Sequence, residues 1–87
     1  MAYVIVERIF EPPLTEAEQL ARMSRLGPCL GLHGVRWIRS YVSKDRRHGV
    51  CEYEAPDAEA VRVAHRTANV PFERVWVGDV FSGETGS

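Results

Sequence analysis

The side chains of this sequence that could bind a transition metal are three histidines and two cysteines. Imidazole and thiolate are preferred ligands of nickel, copper and zinc. We expect His65 and Cys51 to converge, because the predicted helix of His65 covers the predicted strand of Cys51. The pair could hold a metal or form a thiolate–imidazole couple. It could also be a hydrogen-bonded core histidine beside an inert thiol, which is the commonest arrangement in proteins.

Two further histidines are predicted at the surface. His48 lies three residues before Cys51, a spacing that points the two side chains to opposite faces of an extended strand. His33 lies in the predicted loop Gly31-Leu32-His33-Gly34. Surface imidazoles bind nickel or copper when a second molecule supplies further ligands. The candidate ligands for nickel or another divalent transition metal are therefore His65, Cys51, His48 and His33.

Composition and motifs exclude several other classes of protein. Eleven basic and twelve acidic residues give a net charge of −1, which provides no general attraction to nucleic acid or to an anionic membrane. The sequence has no phosphate-binding glycine loop, no Gly-x-Ser-x-Gly elbow and no Cys-x-x-Cys zinc motif. No stretch approaches the roughly 20 apolar residues of a membrane span, and the opening apolar run is too short for a signal peptide. We expect a cytoplasmic protein with free thiols.

Six elements follow one another in a single predicted domain, residues 1–81, before a flexible polar tail at residues 82–87. β-Branched and aromatic residues predict strands over 3–10, 35–43, 49–54 and 72–81. The first helix begins after Thr15, whose capping box with Glu18 satisfies two backbone donors. Its small or apolar stripe is predicted to comprise Ala17, Leu20, Ala21 and Ser24. Gly27-Pro28 is predicted to end it.

The second helix begins after Asp57 as its N-cap. Its buried face is predicted by helical spacing to comprise Val61, Ala64, His65 and Ala68. The resulting order is strand, helix, strand, strand, helix, strand. This order predicts an α+β fold of the ferredoxin-like βαββαβ type, with a four-stranded antiparallel sheet and both helices on one face. The first and third strands are expected at its centre.

The other face of this sheet, the open face, has no helix to cover it. Strand alternation places apolar and charged side chains there. The ligand-pocket or dimer-face residues predicted on it are Tyr3, Glu7, Trp37, Arg39, Tyr41 and Glu52. So large an exposed apolar surface predicts a homodimer packed sheet to sheet, as in dimeric α+β barrels. Arg39 and Glu52 are expected to form a cross-strand ion pair, and these charges could be interface links or part of a ligand site.

RNA recognition, which other domains of this fold class perform, is not expected here. Those domains place stacking aromatic rings on the third strand. Val50 and Glu52 occupy the corresponding positions in this sequence. Because a glutamate there repels phosphate, we expect no nucleic-acid partner.

Several runs of the sequence carry a family resemblance. They are Val6-Glu7-Arg8, Val35-Arg36-Trp37-Ile38-Arg39-Ser40-Tyr41, Cys51-Glu52-Tyr53-Glu54-Ala55-Pro56, Glu59-Ala60-Val61-Arg62, His65-Arg66 and Pro71-Phe72-Glu73-Arg74-Val75. From about Tyr3 to Val80 the chain resembles a family of small bacterial domains described as nickel-binding or nickel-responsive. The resemblance implies a ferredoxin-like dimer and a role in sequestering nickel. The family pattern includes the positions of Cys51, Tyr53 and His65, and it has a longer first helix than the one predicted here.

Three functions follow from these observations. The first is a homodimeric binding protein for nickel or another divalent transition metal, which is not an enzyme. The second is a small-molecule carrier or enzyme of the dimeric α+β barrel kind, with a pocket on the open face and Glu7 or Glu52 as a general base. The third is an interaction module whose only partner is a second copy of itself.

Overall fold

The computed structural model describes residues 1–83 and has the predicted order of elements. They are β1 (Ala2–Ile9), α1 (Glu16–Leu32), β2 (Arg36–Val42), β3 (His48–Ala55), α2 (Ala58–Thr67) and β4 (Arg74–Val77). The strands form one antiparallel sheet in the order β2-β3-β1-β4, so β1 and β3 are central. The predicted ferredoxin-like βαββαβ fold is confirmed. Neither helix of the described part of the chain is long and apolar enough to cross a membrane.

The chain beyond the last strand was predicted to be a flexible tail, residues 82–87. Of that tail, residues 84–87 lie outside the described residues, so its flexibility stays a prediction. β4 itself is shorter than the predicted strand over 72–81 and comprises only the four residues Arg74–Val77.

The core lies between the sheet and the two helices. Val4 and Val6 of β1 are fully buried, and Cys51 and Tyr53 of β3 are nearly so. The same core cluster contains four residues of the helices, which are Leu26, Leu30, Val61 and Ala64. Both helices therefore cover one face of the sheet, and the predicted alternation of β1 and β3 is confirmed.

The first helix begins as predicted but continues well past its predicted end. The Glu18 N–H donates to Thr15 Oγ1 at 3.1 Å, which confirms the N-cap. α1 then runs through Pro28 to Leu32, so the predicted end at Gly27-Pro28 was wrong. Its buried residues are Leu26 and Leu30. They lie on either side of Pro28, and their packing outweighs the one backbone hydrogen bond that a proline removes.

The end of α1 is a glycine cap about two turns later than the one predicted. Gly34 has a positive φ of 68°, which a residue without a Cβ adopts at little cost. The Val35 N–H donates to the Leu30 carbonyl and the Gly34 N–H to the Gly31 carbonyl, at 2.9 and 3.2 Å. These two bonds form a Schellman motif, and Val35 and Leu30 are both buried beside it.

The face of α1 that packs on the sheet also differs from the predicted one. The predicted stripe, which comprised Ala17, Leu20, Ala21 and Ser24, is exposed to solvent. Leu26 and Leu30 define the buried stripe instead, and Arg22 and Cys29 are half-buried along it. The reason is that the larger side chains of the second half of the helix bury more apolar area than the small ones of the first half.

A β-bulge in β2 reverses the face of one predicted site residue. Trp37 pairs with Tyr53 and Arg39 pairs with Glu52, so Ile38 is an additional residue in the strand. Directly opposite residues of an antiparallel pair share a face. Trp37 therefore lies on the helix-covered face with Tyr53, and its predicted place on the open face was wrong.

Candidate functional site

A buried arginine, Arg8, links β1 to β3, α2 and the segment after α2. Only 7% of its surface is exposed. Its Nε–H donates to Cys51 Sγ at 3.3 Å, and Nη2 donates to Tyr53 Oη at 3.1 Å and lies 2.8 Å from His65 Nε2. Nη1 donates to the Pro71 carbonyl at 3.1 Å. None of the four partners is a carboxylate, and within residues 1–83 Arg8 forms no salt bridge.

His65 has both ring nitrogens engaged. Nδ1 lies 2.7 Å from the Val61 carbonyl, which only accepts, so Nδ1 carries the proton. Nε2 must then accept from Arg8, because a guanidinium only donates. Burial, together with the charge of Arg8, lowers the pKa of His65 from 6.5 to about 4. His65 is therefore a neutral, fully buried acceptor at neutral pH.

Tyr53 completes this buried cluster. Its ring packs edge-to-face against the His65 imidazole, with ring centroids 5.6 Å apart, and Phe72 packs on the same imidazole at 5.7 Å. Burial raises the pKa of Tyr53, so its hydroxyl keeps its proton. The cluster thus places the neutral imidazole of His65 and the protonated phenol of Tyr53 around a single buried cation.

The cluster does not fit a metal ion, although the structure brings His65 and Cys51 together as expected. A cation bound there would have to displace Arg8 from both ligands, and it would add a second positive charge to a buried site. Three arrangements were possible for His65 and Cys51, and the observed geometry matches the hydrogen-bonded core histidine. More widely, residues 1–83 contain no group of three or more His, Cys, Asp or Glu side chains placed to hold a metal.

The other two predicted metal ligands lie far from each other. His33 is the C-cap of α1, next to the start of β2, whereas His48 begins β3. Because Arg36 pairs with Glu54 and Val42 with Gly49, the two histidines lie at opposite ends of the β2–β3 hairpin, about 20 Å apart. His48 is exposed and His33 is half-buried.

The open face carries three carboxylates that are already paired, and one of them, Glu54, accepts from Arg36 Nε at 3.1 Å. Glu52 accepts from Tyr3 Oη at 3.0 Å and forms the predicted ion pair with Arg39 Nε at 2.9 Å. Glu7 accepts from Trp76 Nε1 at 2.6 Å and from Arg74 Nη2 at 3.4 Å. Tyr3, Glu7, Arg39, Tyr41 and Glu52 thus lie on the open face as expected, and Trp76 is an open-face residue that sequence reasoning missed.

The cavity lined by two of the predicted pocket residues, Trp37 and Tyr41, lies on the other side of the sheet, beneath α1. Its volume is about 230 Å³, and it is lined by residues of α1, β2 and β3, including Trp37 and Cys51. Two arginines also line it, Arg8 and Arg22. The sequence analysis missed both. Arg8 could have been found, because it continues the alternating buried series of Val4 and Val6.

Comparison with known protein families identifies a match. The profile of a family described as nickel-responsive protein SCO4226-like matches residues 3–77. The chain belongs to this family. Membership confirms the resemblance seen in the sequence runs, and the family description names a response to nickel. A comparison with curated proteins gives no match.

A solved structure of the family has the same fold. The crystal structure of SCO4226 from Streptomyces coelicolor A3(2) superposes with a TM-score of 0.82, at 15% sequence identity, over 93% of this chain and 100% of that chain. At this identity, the similarity establishes the shared fold alone. The long α1 observed here agrees with the longer first helix expected of the family.

Proposed function

We propose that this family member is a cytoplasmic, homodimeric nickel-binding protein and not an enzyme. The observation that carries the proposal is the match of residues 3–77 to a family described as nickel-responsive. His65 and Cys51 are bonded to Arg8, so they are not the ligands in this proposal. The metal is bound instead at the surface by His48 and His33, with ligands contributed by more than one copy of the chain.

Two features of the surface support these ligands. The imidazole rings of His48 and His33 make no hydrogen bond within residues 1–83, so their nitrogen lone pairs are available. Asp45 lies at the same hairpin tip as His48 and adds a carboxylate; bonds from the Ser43 hydroxyl and the Arg47 N–H lower the pKa of Asp45. Nickel accepts imidazole and carboxylate together. One chain holds the two histidines too far apart for one ion, so shared ligands are required.

The open face supports the proposed dimer. Tyr41 and Trp76 are 54% and 44% exposed on it, and Ile5 and Val50 lie between them on the central strands. A second copy packed on this face would remove those side chains from water. Because Glu7 and Glu52 are already bonded to cationic and polar neighbours, we assign the open face to dimerisation rather than to acid–base chemistry.

Titration of the tag-free, metal-free protein with nickel in a calorimeter tests the proposal. We expect saturable binding by the wild-type protein and a loss of at least about tenfold in affinity on His48→Gln or His33→Gln, since imidazole is a strong nickel ligand. His65→Gln is the matched control and leaves the affinity unchanged. Absence of heat above the buffer blank would exclude nickel binding. Loss of binding in a folded His65→Gln variant would place the metal in the interior instead.

A further inference from the structure

The cavity beneath α1 has a buried floor and an exposed rim. Arg8, Cys51 and Tyr53 line it and are each at most 8% exposed, whereas Met23 and Trp37 line it and are 44% and 47% exposed. The cavity therefore runs from solvent at the rim to the buried Arg8 cluster. Most of its wall is apolar, and α1 and β2 face each other across it. Such a concave site, apolar with a few polar groups, is typical of ligand pockets.

The charge on the cavity wall is positive. No Asp or Glu of residues 1–83 lines it, and the two ionised side chains that do are Arg8 and Arg22. Arg22 is ion-paired with Glu18 at 3.2 Å, so the uncompensated charge is that of Arg8. The charge of Arg8 has no carboxylate partner within residues 1–83. Inside a low-dielectric enclosure a charge acts more strongly than in water. The cavity therefore favours a ligand with one negative charge.

Arg22 has a donor that lacks an acceptor. Its Nε donates to Glu18 at 3.2 Å, and its guanidinium carbon lies 5.3 Å from the centroid of the Phe10 ring. Nη1 is buried, and in the described part of the chain it has no hydrogen-bond partner. A buried donor without a partner is costly, and a charged acceptor such as a carboxylate satisfies it best. Arg22 is therefore the side chain that would hold the anionic group.

The volume limits the size of the ligand. The cavity holds about 230 Å³, and an apolar protein cavity of roughly 150 Å³ is enough to bind benzene. By proportion, a ligand of about ten non-hydrogen atoms fits, which is the size of octanoate. Phosphorylated sugars and nucleotides do not match the largely apolar wall.

We propose that the cavity beneath α1 binds an apolar monocarboxylate of about ten non-hydrogen atoms. Its carboxylate accepts a hydrogen bond from the Arg22 guanidinium, whose buried Nη1 turns toward the cavity when the ligand enters, and its hydrocarbon body lies against Leu26, Leu30 and Trp37. The charge of Arg8 at the floor adds attraction without direct contact. This site is separate from the surface histidines, and its ligand binds in the absence of any metal.

Sodium octanoate and 1-octanol test the proposal, because the two have equal chain length and differ in charge. The two tryptophans lie on opposite faces of the sheet, so Trp76→Phe leaves Trp37 as the only tryptophan reporter. Fluorescence titrations of this variant, in buffer with EDTA, measure occupancy of the cavity rim. Thermal shifts of the wild-type protein with both ligands give a second measurement that needs no substitution.

We expect octanoate to bind saturably and at least about tenfold more tightly than octanol, which is the scale of one charge-assisted hydrogen bond. Arg22→Gln, made in the Trp76→Phe protein, lowers the octanoate affinity about tenfold and leaves the octanol affinity unchanged. Arg66→Gln on α2, a matched exposed arginine, changes neither. Equal affinity for octanoate and octanol, or no saturable signal with octanoate, overturns the proposal. Unchanged octanoate affinity in a folded Arg22→Gln variant also overturns it.

Discussion

Arg8 determines what its neighbours can do. Arg8 donates to His65 Nε2 and Cys51 Sγ. These two side chains, which could otherwise bind a metal, therefore act as hydrogen-bond acceptors for its guanidinium. Sequence reasoning brought His65 and Cys51 together correctly, because helical spacing and strand alternation each fix a face. It missed their partner, although Arg8 continues the buried alternation of Val4 and Val6, because an arginine within a strand is ordinarily an exposed residue.

Protonation of His65 should destabilise the fold. Its pKa is about 4 in the folded protein and about 6.5 in the unfolded chain, so the unfolded chain binds the proton more readily. The stabilising contribution is complete above about pH 6.5 and is lost as the pH falls toward 4; in full it amounts to about 3 kcal/mol. Between pH 7 and 5 we expect a loss of about 2 kcal/mol, measured by urea unfolding.

Two histidine variants identify the source of that pH dependence. His65→Gln retains an acceptor for Arg8 and should remove most of the slope between pH 7 and 5. His48→Gln, at an exposed position, should keep the wild-type slope. An unchanged slope in folded His65→Gln would show that another group titrates.

Features that depend on local sequence signals were predicted correctly, whereas features that depend on tertiary packing were not. The caps at Thr15 and Asp57 are both observed, with side-chain oxygens accepting at 3.1 and 2.8 Å. The end of α1 and the bulge at Ile38 were not predictable in the same way. Burial of Leu30 carries the helix past Pro28, and the bulge becomes visible only when the register with β3 is known.

Two glycines near the end of α1 should respond in opposite directions to alanine. Gly31 lies within the helix, and a Cβ there would have nothing within 4 Å, so Gly31→Ala should stabilise the protein by roughly 0.5–1 kcal/mol. Gly34 has a φ of 68°, so Gly34→Ala should destabilise it by about 1 kcal/mol. Urea unfolding of both variants measures the difference. A stabilising Gly34→Ala would contradict the assigned helix end.

At the scale of the whole molecule, the two faces of the sheet differ in what they carry. The helix-covered face holds the Arg8 cluster and the cavity, and the open face holds Trp76, Tyr41 and three paired carboxylates. The sequence predicted this division, since it follows from the element order alone. The side on which the cavity lies was not predictable, because it depends on how closely α1 approaches β2.

A charge at the centre of the open face should separate the proposed dimer. Ile5 lies on a central strand between Glu52 and Trp76, so Ile5→Arg places like charges opposite each other in a symmetric pair of sheets. We expect a dimer for the wild-type protein and a monomer for the variant in sedimentation velocity. Leu20→Arg on the exposed side of α1 serves as the control and leaves the dimer intact. A monomeric wild-type protein would rule out the interface.

The two cysteines differ in their burial, so a thiol reagent should label them at different rates. Cys29 is half-buried on α1, whereas Cys51 is buried beneath the Arg8 guanidinium. A small alkylating reagent can therefore modify Cys29 at the helix surface in the native state, whereas its path to Cys51 runs through the cavity beneath α1, which Cys51 lines. The slower labelling phase consequently reports whether that cavity is open or occupied, without any added dye or isotope.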